Sequence, residues 1–313
     1  MFEVKRYEPS HEQAWNDFVA RSKNGTFLFD RRFMDYHSDR FADSSLMILR
    51  KGRIYALLPA NRVGDTLHSH QGLTYGGLLT DAKATAEGVM EAFGALNAWL
   101  RNEGVRRVTY KAMPWIYHRL PAEEDLYALT QVCHARLLTR EISSTILLQQ
   151  PLRFTESRKS GLRKALREGL YMEESGDLAA FWQMLDDNLA SRHHTHPVHS
   201  LDELRLLQGR FPQQIHLYLI YNKEKEPVGG TWVFDTGQVV HTQYIASTEE
   251  GKAHGALDLL FDELINRRYR EGIYLDFGKS TEEGGRVLNE HLIFQKEGFG
   301  GRGVCYDTYE WEP

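Results

Sequence analysis

The chain has 313 residues, 42% of them hydrophobic and 26% charged, with a formal net charge of −5. That balance suits about two globular domains of ~150 residues each, and it leaves no overall positive field to recruit nucleic acid, although a local basic patch stays open. Two cysteines, Cys133 and Cys305, are too few for a disulfide framework, and neither an apolar leader at Met1–Arg6 nor a membrane-length apolar run is present, so the expectation is a reduced cytoplasmic protein without a membrane span.

In chain order, Phe2–Tyr7 reads as a strand and His11–Ser22 as a helix, with Ser10 and Gln13 placed for a capping box. Asn24-Gly25 breaks that helix, and Arg31–His37 forms a short one. Ser45–Arg50, Ile54–Arg62 and Thr66–His70 follow as an antiparallel meander, turned at Lys51-Gly52 and Gly64-Asp65. The loop Gly72–Gly77 precedes a helix over Ala84–Glu103, stopped by Gly104, and then a strand over Val105–Lys111.

The second half repeats this plan. Ile215–Tyr221, Pro227–Phe234 and Val239–Ala246 read as strands. A loop over Ser247–Gly255, a helix over Ala256–Ile265 and a strand over Ile273–Gly278 follow. Phe93, Leu96, Glu103, Gly104 and Val105 match Phe261, Leu264, Glu271, Gly272 and Ile273 at one constant offset. Repetition of the same element order points to duplication. The expected fold is therefore α/β (α+β): two tandem units, 1–150 and 151–313, each a mixed, mainly antiparallel sheet flanked by helices. Between them lie a dense basic run, Arg158–Arg167, a helix over Leu178–Ser191, and a His-rich loop. Ser200 or Asp202 can cap the next helix, Glu203–Gly209.

Three stretches carry a resemblance. Ser160–Leu170 is similar to an "RxxIRKAEKxG" segment, Tyr274–Thr281 to a "YFDFGGST" strand end, and Gln295–Gly300 to an "FKxxFG" close. Together they resemble the FemAB-like branch of the GNAT (Gcn5-related N-acetyltransferase) superfamily. The resemblance implies tandem GNAT-like units and acyl or aminoacyl transfer to an amine of a cell-envelope or polysaccharide precursor, such as an amino sugar or a muropeptide. The donor it implies is acyl-CoA (acetyl-CoA), with aminoacyl-tRNA as the alternative. The nearest fit to a Gln/Arg-x-x-Gly-x-Gly/Ala pyrophosphate loop is Lys252–Leu257, with Lys first and Leu last. That substitution also leaves open a non-catalytic module binding a nucleotide sugar or peptide.

Aminolysis of a thioester or ester needs a deprotonated amine, a stabilised oxyanion and a protonated leaving group. By the resemblance, Lys296 would hold the transfer intermediate; otherwise it is a surface lysine. Asp276, at a strand end, could receive or orient the amine, or cap a turn. Gly251, Lys252, Gly255 and Ala256 would offer backbone N–H groups to phosphates, or form an ordinary loop before a helix. Arg163 and Arg167 share a helix face with Lys164 beside them and would meet a phosphate-bearing partner, or simply solvent. His194, His196 and His199 have a spacing zinc could use, but no Cys, Asp or Glu stands among them, so no metal is expected; His199 remains a candidate base or substrate contact. In the first half His37, Arg40, Tyr75 and Lys111 are candidate acceptor contacts, against a purely structural reading.

Overall fold

The computed structural model describes residues 1–193 and 196–313. They divide into two compact units. The first comprises Met1–Glu141, Thr281–Val287 and Cys305–Pro313; the second comprises Ile142–Ser280 and Leu288–Val304. The last strand, Arg302–Trp311, thus carries the chain's end back into the first unit.

In the first unit β1 (Phe2–Arg6), β2 (Leu46–Arg50), β3 (Arg53–Leu58) and β6 (Leu79–Thr80) form an antiparallel sheet. A second set contains β4 (Asn61–Val63), β5 (Thr66–His68), β7 (Arg107–Lys111) and the last strand. The stretch expected as one return strand, Ile54–Arg62, is therefore two strands in two sheets, broken at Pro59-Ala60 because proline has no N–H for a ladder. Helix α1 (Glu12–Arg21) lacks the expected Ser10 cap, since Pro9–His11 enters it as a 3₁₀ turn. Short α2 (Arg31–Met34) follows. Helix α3 (Ala86–Asn102) starts where Thr85 accepts the Gly88 N–H, and it buries Val89, Phe93, Leu96 and Leu100. Those spacings of three and four make one apolar stripe, packed on Ile48, Leu58 and Val108. Helix α4 (Glu124–Gln131) packs beside it.

The second unit holds β8 (Arg136–Leu147), whose first residues belong to the first unit, and helices α5 (Glu156–Arg167), α6 (Leu178–His193) and α7 (Leu201–Arg210). Its other strands are β9 (Tyr171–Glu174), β10 (Ile215–Tyr221), β11 (Pro227–Asp235), β12 (Val239–Ser247) and β13 (Tyr274–Lys279). The order is β8-β13-β12-β11-β10-β9, antiparallel except for the parallel pair β12/β13. Ser200 and Glu203 form a full capping box on α7.

The stretch expected as a glycine loop, Ser247–Gly255, is mostly helix. Thr248 caps α8 (Glu249–His254), and Gly255, at φ 78°, turns it into α9 (Ala256–Glu263). A π turn, Leu264–Arg268, ends α9. The segment before Gly300 is also helical, as α10 (Glu290–Gly298). The unit's core joins Val240 and Leu275 of the sheet to Phe261, Leu264 and Phe299. No helix among the described residues is long and apolar enough to cross a membrane.

Candidate active site in the second unit

Parallel strands β12 and β13 pair at only three positions: Val239 with Tyr274, Val240 with Leu275, and His241 with Asp276. Beyond that point they part. A bulge at Gln243 helps, because Trp232 and Val233 of β11 face Tyr244 and Thr242 of β12 with one residue left over. The gap holds a cavity of ≈ 340 Å³. Ile245 and Ser247 of β12, Leu257 and Phe261 of α9, and Phe277 of β13 line it, with Leu185 and Asn188 from α6. Helix α10 supplies Gln295, Lys296 and Phe299 to its wall. Among the described residues the lining is apolar apart from two cations, Lys252 and Lys296, and a few neutral polar groups.

Lys296 is 5% exposed. Its Nζ donates to Gly278 O (2.8 Å), Lys279 O (3.0 Å) and Ser280 Oγ (2.9 Å), so each ammonium N–H has an acceptor. Burial lowers its pKa to about 8, and the charge on Asp276 partly opposes that. The buried cation therefore fixes the end of β13 and leaves a positive charge in the cavity wall.

Strand alternation puts Leu275 and Phe277 on the α9 side of the sheet and Asp276 on the other. Asp276 is fully buried; its carboxylate accepts from Ser143 Oγ, from Thr145 Oγ1 (2.8 Å) and from His241 Nδ1 (2.9 Å). Within the fold the partners of the Asp276 carboxylate thus include the His241 ring. The same face carries Tyr244, whose hydroxyl lies 2.5 Å from His199 Nδ1. Trp182 Nε1 donates to the His199 carbonyl, which ties that residue to α6.

Of the other expected positions, Lys252 lines the cavity and the rest lie outside its lining. Gly251 N–H donates to Thr248 Oγ1 and Lys252 N–H to Thr248 O, so both amides serve the helix rather than a phosphate cradle. A Cβ at Gly251 would overlap Val228 O, and one at Gly255 would overlap Gly161 O; these glycines permit backbone contact. Ala256, buried, opens α9. The Lys252 side chain reaches the cavity and pairs with Glu249. Arg163 and Arg167 are exposed on α5. His196 Nδ1 meets Asp186 (2.7 Å); His194 lies outside the described residues. Among those residues no cluster of His, Cys, Asp or Glu could hold a metal.

In the first unit His37 and Tyr75 are interior. His37 stacks on His70 at 5.4 Å, and the Tyr75 hydroxyl donates to Thr26 Oγ1. Arg40 is exposed beside Tyr36. Burial, with His37, Lys111 and Arg31 nearby, pulls the pKa of His70 down to about 3, so His70 stays neutral. Lys111 Nζ donates to the carbonyls of His70, Gln71 and Leu73 (3.2, 3.0 and 2.9 Å). The parallel pair β5/β7 also has three positions, ending His68 with Thr109. Here, however, the pairing continues: Ser69 N–H donates to Thr109 O, Lys111 N–H to Ser69 Oγ, and Gly76 N–H to Lys111 O. The chain's own backbone fills this split, whereas the second unit's is open. Little in the sequence marks His241, which is one of three consecutive polar residues, His241-Thr242-Gln243, and its register with Asp276 appears only in the fold.

Residues 155–284 match the model of the acetyltransferase (GNAT) domain family. That match lies almost wholly within the second unit. Among solved structures the chain is similar to FemX, at 11% identity and TM-score 0.68, over 99% of this chain and 97% of that one. It is also similar to the C-terminal domain of a putative lysylphosphatidylglycerol synthetase from Agrobacterium fabrum (13% identity, TM-score 0.62, 96% and 91% covered). A tandem GNAT protein from the clavulanic acid biosynthesis pathway matches at 12% identity and TM-score 0.52, with 100% and 98% covered. A search of curated protein sequences finds no match. The whole chain therefore shares its fold with FemX and with the tandem GNAT protein.

Proposed function

We propose that the second unit transfers an acyl group from an acyl-CoA to an amine by direct attack, with no covalent enzyme intermediate. The observation that carries this reading is the apolar cavity at the parting of β12 and β13, with the Lys296 cation in its wall. An uncharged acyl thioester suits such walls. The ammonium of an aminoacyl group would meet the Lys296 cation, with Lys252 beside it paired to Glu249 and no carboxylate among the described lining residues. As the amine nitrogen adds, negative charge grows on the carbonyl oxygen, and a fixed cation in a dry wall lowers the energy of that state. The likeness to FemAB-like proteins supports an acceptor from cell-envelope or polysaccharide precursors, an amino sugar or a muropeptide.

A second reading, aminoacyl-tRNA as donor, draws on a different observation. The first turn of α8 carries Glu249 and Glu250, and the N–H groups of Gly251 and Lys252 are spent on Thr248. Acidic side chains at a helix N-terminus oppose a pyrophosphate there. Exposed Arg163 and Arg167 on α5 could meet a nucleic-acid backbone instead.

Calorimetric titration with acetyl-CoA and a medium-chain acyl-CoA tests the two. The proposal expects ~micromolar binding, abolished in a Leu257→Trp variant that fills the cavity. Absence of CoA binding, together with binding of a charged tRNA that weakens in R163A/R167A, would favour the second reading. Binding of a nucleotide sugar or peptide without transfer would leave a non-catalytic module.

A further inference from the structure

The acyl-transfer reading leaves one proton unassigned: the one the amine sheds on becoming an amide. We infer that His241 is the general base that takes it, with Asp276 as its positioning residue; this rests on the function proposed above.

Placement comes first. His241 occupies the last paired position of β12 before the strands part. It is in register with Asp276 and lies on the sheet face opposite the Leu275–Phe277 side. Gly278 joins it to the cation: Lys296 Nζ donates to Gly278 O at 2.8 Å, while a Cβ on Gly278 would stand 3.3 Å from His241 Cε1. Gly278 has φ 74° and needs the space, so glycine suits this position twice over. The ring and the ammonium thus flank a single residue at the point where the strands part.

Chemistry comes second. Asp276 is an acceptor held in place by Ser143 and Thr145, and it takes the His241 Nδ1 hydrogen. In neutral imidazole that bond puts the lone pair on Nε2, the atom needed to accept a proton. When Nε2 is protonated, the carboxylate balances the imidazolium charge, the same logic by which a buried Asp orients a catalytic His elsewhere. The amine nitrogen bonds to the thioester carbonyl carbon, and His241 Nε2 removes one N–H proton. The C–S bond then breaks, the electron pair leaves on sulfur, and the same proton passes to the thiolate to give free CoA thiol and an amide. Asp276 of β13 bonds the ring, Lys296 of α10 stands across Gly278, and the His199–Tyr244 pair lies on the same sheet face.

The test uses the full chain with a panel of acyl-CoAs and amines, following thiol release against pH. His241→Gln should lower kcat by about 10²–10⁴-fold and erase the acidic limb of the pH profile. The KM for acyl-CoA should stay within about twofold of wild type. His241→Ala should recover activity on addition of free imidazole, which a merely structural histidine would not allow. Asp276→Asn should depress kcat while shifting that limb. Wild-type turnover matched by folded H241Q and H241A, with the limb unchanged, overturns the inference and leaves acyl transfer standing. A wild-type chain inert to every donor and amine overturns the acyl-transfer reading and this inference with it.

Discussion

Lys296 is a cation enclosed by carbonyls, and its behaviour with pH follows from that. Its pKa in the folded chain, about 8, lies below the ordinary lysine value of 10.5. Between those pH values the unfolded chain binds more protons than the folded one, so this group adds stability as pH rises from about 8 to 10.5. Below 8 both states are protonated and the buried charge is a net cost. Denaturant unfolding should therefore show wild type gaining on Lys296→Met across that window, by roughly 3 kcal/mol at most. If transfer needs the cation, kcat should fall above about pH 8 in wild type, and Lys296→Arg, where it folds, should push that fall upward. Gly278 is the second residue with a sharp expectation. Gly278→Ala combines a left-handed φ with a tight contact on His241, so it should cost about 1–2 kcal/mol. It should reduce kcat more than it weakens acyl-CoA binding, as initial-rate kinetics would show.

Among the elements, β12, α9 and β13 were legible because their apolar spacing is regular: Val239-Val240, then Leu259, Leu260, Phe261 and Leu264, then Leu275 and Phe277. Helix α8 was not. Gly251 inside it, Gly255 just after it and its short length read as a loop, and nothing local shows that Val228 and Gly161 press against Gly251 and Gly255. Those contacts give the glycines a packing role. Gly161→Ala would drive a methyl into the Asp258 carboxylate that holds Arg158 (3.0 Å), and it should loosen α5 from α9. A melting experiment should find the protein destabilised by about 1–3 kcal/mol, with acyl-CoA affinity unchanged in the folded fraction. The same reasoning explains why a bulky residue at Gly255 is a poor probe of donor binding: any loss would report helix packing. Helix α10 was hidden for a related reason. Its exposed Phe294 and buried Lys296 invert the usual pattern of burial, so no apolar stripe marks it.

At the scale of the whole molecule, the repeated element order in the sequence corresponds to two units with the same β-α-β corner. What the repeat could not reveal is that the two corners differ at the split, since closure depends on Ser69, Gly76 and Lys111 meeting in space. Lys111→Met would leave the carbonyls of His70, Gln71 and Leu73 short of a donor, at a cost of about 1–3 kcal/mol. It should lower the melting temperature without changing the Kd for acyl-CoA, because the donor cavity belongs to the second unit. The acceptor, by contrast, was never legible: side-chain types on their own do not distinguish an amino sugar from a muropeptide.

Direct titration of the purified chain with a medium-chain acyl-CoA, beside its Leu257→Trp variant, decides whether the split in the second unit is a donor site. Acyl transfer from CoA predicts ~micromolar binding to wild type and none to the variant, with both chains melting alike. Equal binding to both, or no binding to wild type at millimolar ligand, would contradict it.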